Sequence, residues 1–543
     1  MKAKHILLVL IFLIFVVRLS GLNIAIYDDE ANFAFSVSNM NELGFNESYY
    51  SPVFFNVLYI PFIALFGVSI ALFRFVPYVF GVINLALLYL FAKRNYGRKV
   101  AYGSVFLMAA SFYASLASLQ FDVEGSMIMF TVLATFFSYK EYERSKKSFW
   151  LILCGLFLGA TFVNKYNTVY IAVVLGIYSL VQSKYDFRKT FKDLFPLGLS
   201  ALSVVLFYLW IAVVSSPNWW NFVSIVGVQR YVGVPFNPIA LFMFLLWSTP
   251  LLFGFYILSI VSWKKENRLY VLWITIPILF YTFISPFGAF DRYLMNTIPA
   301  MSILGGIYLS KIRFNRKHII FASMISVISY LFMLVLNSIP LRYVSRSPSS
   351  YFQHLLSFNF NFLFSYTSSS GPTFGVSFLI ILITFCLSAV LLFFIVISKR
   401  TLKFATFCLV LFLAINIAFN AILIQEQIFH VQGSNPSQAT YDMLAYVKEH
   451  NLSYPIYSND SGILFYIDKD YRTSNETIGL PDNELDAEAT QTINQVNSVG
   501  GTILLLNWPP IPKESPIHSI TKLCLLEKEW NSNGNMIGQI YIC

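Results

Sequence analysis

The chain reads as an α-helical polytopic membrane protein that carries a small C-terminal α/β domain outside the bilayer. Three observations predict this. Of 543 residues, 57% are hydrophobic and only 12% are charged, against about 45–50% and about 25% in soluble globular chains. The apolar residues gather in runs near the length of about 20 residues that a membrane-crossing helix needs. Charge also divides along the chain, because residues 433–543 hold 13 acidic and 6 basic side chains while the whole chain carries a formal +10. Fifty-five Phe and 33 Tyr exceed what soluble cores of ordinary size hide. A cytosolic enzyme, a disordered chain and a coiled coil are excluded.

Taken in order, thirteen spans are expected. They lie near 4–23, 74–92, 100–120, 123–139, 149–164, 167–182, 196–214, 239–262, 269–287, 293–310, 318–337, 375–398 and 404–424. The first has Lys2 and Lys4 before it, but its apolar run is long and no small-residue cleavage site follows, so it reads as an uncleaved anchor. Orientation comes from the Lys/Arg bias. With the N-terminus inside, every inside connection is basic: Lys93, Arg94, Arg98 and Lys99, for example, then Lys140, Arg144, Lys146 and Lys147. In all, 24 of 37 basic residues fall inside. The basic residues thus follow the membrane pattern, which removes the case for a nucleic-acid partner.

The stretch 53–69 is apolar but short and contains Pro61. Counting it as a span would turn every later basic loop outward, so it reads as a helix in the outer interface. It belongs to a long first external loop, 24–73. Thirteen crossings leave the tail outside, giving a membrane domain over 1–430 and an extracytoplasmic domain over 431–543. The tail pattern predicts helices near 438–450 and 484–498, with strands near 454–458, 461–467, 501–507, 521–528 and 536–542. Asp468-Lys469-Asp470 reads as a turn and the Ser-rich 366–370 as an outside loop. All four sequons, at Asn46, Asn451, Asn459 and Asn475, fall outside. Cys154, Cys386 and Cys408 sit in apolar spans as small core residues. Cys524 and Cys543 can pair in an oxidising compartment, which the sequence leaves open.

Only fourteen acidic residues precede residue 433, and charge near hydrocarbon is costly enough to be informative. Asp28, Asp29 and Glu30 follow the first span. Asp122 and Glu124 stand between spans three and four, Lys165 ends span five, and Asp291-Arg292 lie between spans nine and ten. Arg18 and Arg74 approach the same depth. Each has a plain alternative: a solvated acidic loop, a snorkelling lysine, a local Asp291–Arg292 ion pair. Trp219-Trp220 suit an interfacial aromatic belt. The convergence of five segments on one face points further. Cations there can hold a lipid-linked phosphate, and a carboxylate can deprotonate a hydroxyl. There is no HExxH, P-loop or GxGxxG, and the six His have no ligand spacing.

The run Arg18-Leu19…Tyr27-Asp28-Asp29-Glu30-Ala31 resembles the first-loop segment of GT-C membrane glycosyltransferases. Within that superfamily the chain is most similar to the protein O-mannosyltransferases and lipid A aminoarabinose transferases. Matches continue through Ser51-Pro52-Val53-Phe54-Phe55, Leu65-Phe66-Gly67-Val68-Ser69, Arg74-Phe75-Val76-Pro77 and Tyr96-Gly97-Arg98-Lys99-Val100-Ala101. Asp122, Gly155…Gly159…Asn164-Lys165 and Arg292-Tyr293-Leu294…Pro299-Ala300 complete them, so the resemblance covers 15–310.

The resemblance implies inverting transfer of a sugar from a polyprenyl-phosphate donor at the outer face, with no nucleotide-sugar and no divalent metal. It implies Asp29 as general base, or Asp28 in a register shifted by one residue, with Asp28 and Glu30 in substrate binding beside Asp29, and Asp122 as second catalytic carboxylate. Glu124, Arg74, Lys165, Arg292 and Tyr293 would bind substrate, the cations on the donor phosphate. The acceptor would be a glycan, protein or lipid hydroxyl, and membrane lipids the surroundings. The site would face outside at a plasma membrane, or the lumen of an endoplasmic reticulum. Tyr49-Tyr50 stand where lipid A-acting relatives carry a basic residue before the proline. Trp219-Trp220-Asn221 departs from the WWDYG motif of oligosaccharyltransferases. The competing reading is a transporter or flippase of a lipid-linked or charged solute. It would place charge near the bilayer midplane and show paired repeats, and neither is present in the sequence.

Overall fold

A computed structural model describes residues 3–27, 29–38, 53–215, 249–284, 291–312, 314–339, 341, 353–366, 374–398, 402–430, 435–452, 455–471, 477–480, 494–496, 498–508, 511, 515–532 and 534–543. Two compact units share the chain. Unit 1 is Met1–Leu22, Ser36–Tyr330 and Thr384–Ala421, and unit 2 is Asn23–Phe35, Leu331–Ile383 and Ile422–Cys543.

Unit 1 is helical. Its first helices are α1 (Ala3–Leu19), then, beyond the short helix α2 (Asp29–Ser38), α3 (Val53–Phe66) and α4 (Ile70–Tyr96). They are followed by α5 (Arg98–Ala109), α6 (Phe112–Leu119), α7 (Ser126–Ser145), α8 (Ser148–Asn164), α9 (Tyr170–Gln182) and α10 (Phe187–Ser215). Next come α11 (Pro250–Ser262), α12 (Arg268–Leu279), α13 (Ile298–Ser310) and α14 (Arg316–Asn337). Beyond the strands of unit 2, α15 (Phe378–Ile397) and α16 (Leu402–Phe429) supply the last long apolar helices. Five described helices are long and apolar enough to cross a membrane, or six if the bent pair α5–α6 counts as one span. The expected spans 239–262 and 269–287 lie partly outside the described residues. The shorter apolar helices α8 and α9 fall where spans 149–164 and 167–182 are expected. A helix of 13 residues reaches only about 20 Å. The expected span 123–139 begins later, at Ser126, and leaves Asp122 and Glu124 in a connection.

Close approach shapes one helix pair. A Cβ on Gly159 of α8 would lie 2.8 Å from the Ala201 carbonyl of α10, and one on Gly155 would run into Leu197 and Ser200. Small residues let helix backbones approach where the surrounding lipid is as apolar as the side chains.

The break between α5 and α6 bends the chain by 66°. Freed backbone groups there are satisfied by side chains from other helices, as hydrocarbon surroundings require. Arg18 of α1 donates to the Ala109 carbonyl at 2.6 Å and to Ala114 at 3.4 Å. The Phe112 amide donates to Asn420 Oδ1 of α16 at 2.7 Å.

Unit 2 is an α/β fold. It contains a two-stranded antiparallel ribbon of β1 (Leu363–Tyr366) and β2 (Phe374–Ser377). Helix α17 (Pro436–His450) leads to β3 (Ile456–Ser458), α18 (Ser461–Tyr471), β4 (Thr477–Gly479) and β5 (Thr502–Leu506). The chain ends with α19 (Ile517–Thr521), β6 (Leu525–Ser532) and β7 (Asn535–Ile542). The five strands order β4-β3-β5-β7-β6, with β3 parallel to both β4 and β5 and the remaining pairs antiparallel. Central β5 is buried throughout. Tyr457, Ile503 and Leu505 form a core with Ile517 and Ile520. Cys524 and Cys543 are disulfide-bonded across the β6–β7 hairpin.

The helix at 436–450 and the strands at 456–458, 502–506 and 535–542 follow the expected pattern. One element differs. The run 461–467, expected as a strand, is helical, and Asp468-Lys469-Asp470 continues that helix rather than turning. Asp460 explains it: its Oδ1 accepts from the Ile463 amide at 3.0 Å, which caps a helix start. Ile463 and Ile467, four apart, are then buried on one face. The strand expected at 521–528 starts at Leu525, after the short α19. Most of the expected helix 484–498, the loop 367–370 and the pair Trp219-Trp220 lie outside the described residues.

Candidate functional site

Four charged side chains from three separate segments meet in unit 1. The short connection between α6 and α7 supplies Asp122 and Glu124, the end of α8 supplies Lys165, and the 3-10 segment Asp291–Thr297 supplies Arg292. Arg292 Nη1 donates to Asp122 Oδ2 at 3.0 Å, with both side chains buried. Lys165 Nζ forms an ion pair with Glu124 Oε1. The two pairs share a floor, because the Tyr293 ring lies 4.7 Å from the Lys165 ammonium and 5.5 Å from the Arg292 guanidinium. Such cation–π contacts strengthen where water is excluded. Asp122 also turns its own connection, accepting from Gln120 Nε2 at 3.3 Å and from the Glu124 amide at 3.2 Å.

The four charges differ in reach. Lys165 keeps 23% of its side-chain surface exposed, while Asp122, Glu124 and Arg292 keep 0%, 4% and 5%. Lys165 is thus the most accessible of the four. Burial pushes the Asp122 carboxyl above its ordinary range, the Glu124 charge adds to this, and Arg292 opposes it. For Lys165, burial works against the ammonium, but Glu124 outweighs it and holds the lysine's pKa above the usual value.

Neutral polar groups complete the surroundings. Asn296 donates to the Tyr170 hydroxyl at 2.6 Å, and the Tyr281 ring packs on Tyr170 and Tyr293. Asn164, buried and one residue before Lys165, has no partner for either amide atom among the described residues. Buried amides almost always have partners in folded proteins. Gln120, Tyr170, Tyr281 and Asn296 were not legible as site residues, because neutral polar residues next to apolar runs carry no charge signal. Asn164 adjoins Lys165 and could have been found from that.

Arg74 of α4 is fully buried, and its Nη1 donates to the Leu119 carbonyl at 2.6 Å. It grips the carbonyl end of α6, where cations are favoured, directly before the connection that holds Asp122. Arg18 likewise serves the α5–α6 break. Arg292 pairs with Asp122 across the fold; the Asp291 side chain lies outside the described residues.

The first-loop acidic segment belongs to unit 2 and is held there by its backbone. The Ala25 amide donates to Ser437 Oγ at 2.9 Å and the Ile26 amide to the Tyr466 hydroxyl at 3.1 Å. Tyr441 donates to the Asn23 carbonyl at 3.0 Å. Gly462 of α18 permits the approach, since a Cβ there would collide with the Ile26 carbonyl. Asp29 then opens α2, and Glu30 is fully buried. Asp28 and the Asp29 side chain lie outside the described residues.

A helical architecture of long apolar helices, with buried carboxylates and cations gathered beside its helix breaks, defines the class: an integral membrane protein. Residues 51–212 match the family model described as dolichyl-phosphate-mannose-protein mannosyltransferase. Across its length the chain is similar in fold to the ArnT structure from Cupriavidus metallidurans in the apo state. The TM-score is 0.60 at 14% identity, covering 100% of this chain and 98% of that one. The same ArnT bound to undecaprenyl phosphate also gives a TM-score of 0.60 at 14% identity, covering 99% and 97%. No curated protein matches the chain by sequence.

Proposed function

We propose that the protein is a polyprenyl-phosphate-sugar-dependent glycosyltransferase acting on the outer face of its membrane. The observation that carries this reading is the buried cluster of Asp122, Glu124, Lys165 and Arg292 over Tyr293. The family-model match and the likeness to an undecaprenyl phosphate-bound ArnT support the donor class.

In the proposed reaction Asp29 takes the proton from an acceptor hydroxyl on a glycan, protein or lipid. The freed oxygen attacks the anomeric carbon, the bond from that carbon to the phosphate oxygen breaks, and polyprenyl phosphate leaves with inversion. The leaving phosphate gains negative charge as the bond breaks. Lys165 and Arg292 stabilise it, and fixed cations in a site poor in water do this strongly. Asp122 keeps Arg292 oriented, and Glu124 does the same for Lys165. Tyr293 supports both cations, and Arg74 positions the loop from below. Asn164 offers its unpartnered amide to the sugar or phosphate. Asp28 and Glu30 flank the base in acceptor or sugar binding. No metal has a role in this scheme. The predominance of basic residues in the opposite set of connections supports the outer placement.

The decisive experiment is sugar transfer from polyprenyl-phosphate donors by full-length protein reconstituted in lipid. Wild type is expected to transfer or hydrolyse the donor, Asp29→Asn to lose this with donor binding kept, and Asp28→Asn to be milder. Donor binding without turnover in wild type would point to a carrier instead.

A further inference from the structure

The candidate site occupies one end of the unit 1 helices, and a second polar feature occupies the other. Helix α4 carries Arg74 near its start and Asn95 and Tyr96 at its end. Helix α7 follows Asp122 and Glu124 and carries Lys140 and Glu143 towards its end. Helix α9 begins at Tyr170 and ends beyond Tyr178, and α13 follows Arg292 and is capped by Lys311. At 1.5 Å per residue, the 21 steps from Arg74 to Asn95 amount to about 30 Å. At this far end the structure has a cavity of about 760 Å³, a volume in the range of small-molecule sites.

Its lining carries Lys140, Lys264, Lys265 and Lys311 against Glu143 and Glu266. Two lysines are matched: Lys140 pairs with Glu143, and Lys311 with Glu266 at 2.6 Å. Lys264 and Lys265, adjacent on the turn between α11 and α12, form no ion pair among the described residues. The cavity therefore holds two ammonium groups in excess. Tyr178 adds a hydroxyl 3.3 Å from the Lys140 ammonium. This face is the one that the basic connections place inside.

We propose that this cavity binds a phosphate-bearing anion through Lys264 and Lys265, with Lys140, Lys311 and Tyr178 completing the cradle. Ammonium groups bind phosphate as point charges, and basic pockets between helices on the inner side suit anionic headgroups. A glycerol phosphate group suffices, whether free or as the headgroup of an inner-leaflet phospholipid. Helix carbonyl ends also bring partial negative charge here, so lysines that merely neutralise them must be separated from lysines that hold a ligand. The proposal is independent of the transfer reaction.

The test uses full-length protein in detergent, with native mass spectrometry counting bound phosphatidic acid against phosphatidylcholine. Wild type is expected to retain phosphatidic acid selectively, and Lys264→Ala/Lys265→Ala to weaken this at least tenfold. Lys189→Ala/Lys192→Ala removes the same charge from α10, outside the cavity lining, and is expected to stay within twofold. Should the first pair fail to fold, Lys264→Ala alone is expected to lose about threefold. Equal losses in the two pairs would reduce the effect to diffuse surface charge and overturn the proposal, as would no loss in either. Displacement by millimolar glycerol 3-phosphate would identify a soluble phosphoester as the source, and resistance to it the lipid; both outcomes keep the phosphate site.

Discussion

The two ends of unit 1 use the same charged residue types in opposite ways. At one end, Asp122–Arg292 and Glu124–Lys165 join positions 170 and 41 residues apart, and three of the four side chains are almost wholly buried. At the other, Lys140–Glu143 lies three residues apart along one helix, and Lys311–Glu266 keeps 46% and 41% of its side-chain surface exposed. Buried ions are costly to desolvate and persist only when paired. Exposed pairs add little, because water and salt screen them. The contrast separates charge held in place by burial from charge available to exchange partners.

The sharpest way to break this contrast is to orphan a buried charge. Arg292→Met leaves Asp122 buried without its cation and is expected to cost about 3–5 kcal/mol, read as thermal unfolding in detergent. Asp122→Leu/Arg292→Met removes both ions and should unfold closer to wild type than the single variant. If the double variant loses more than the single, the pair is a net stabiliser and the burial argument fails here.

His430, just beyond α16, tests burial without pairing. Both ring nitrogens lack partners among the described residues, and burial lowers its pKa from 6.5 to about 4. The lowered value means that the unfolded chain takes up the proton first. The stability contributed by neutral His430 is therefore present above pH 6.5 and is lost as pH falls towards 4. The shift corresponds to about 3 kcal/mol. Wild-type melting temperature should fall over that window, and His430→Phe should flatten the profile.

Lys165→Ala is expected to weaken donor binding about tenfold, or about 1.4 kcal/mol, and also to lower the melting temperature, because buried Glu124 loses its cation. Unchanged donor affinity would remove Lys165 from the site. The smallest effect is expected at the exposed end, where Lys311→Ala should change stability by about 1 kcal/mol or less. A larger loss would mean that the far end is as tightly organised as the near one.

Much of the membrane architecture was legible because hydrocarbon imposes a length and a polarity on each helix. The apolar runs located most helices, and the scarcity of charge singled out Asp122, Glu124, Lys165 and Arg292 before any contact was known. The tail was read less completely. Its alternation located β3, β5 and β7, but Ser461–Tyr471 is short and apolar, and at that length periodicity does not separate a strand from a helix. Asp460 decided it through one local hydrogen bond.

The sequence by itself determined that the chain lives in a membrane, which residues carry charge near one depth, and that the tail is an α/β domain. Tertiary structure decided the partners. No local pattern pointed from Arg292 to Asp122, 170 residues away, and Arg18 and Arg74 stood among the candidates for ligand binding. In the fold, Arg18 holds the Ala109 carbonyl at the 66° bend, Arg74 holds the Leu119 carbonyl at the far end of α6, and Arg292 donates to Asp122. The physical reason is that an ion pair depends on distance and local water, and neither is written along the chain until distant segments have packed together.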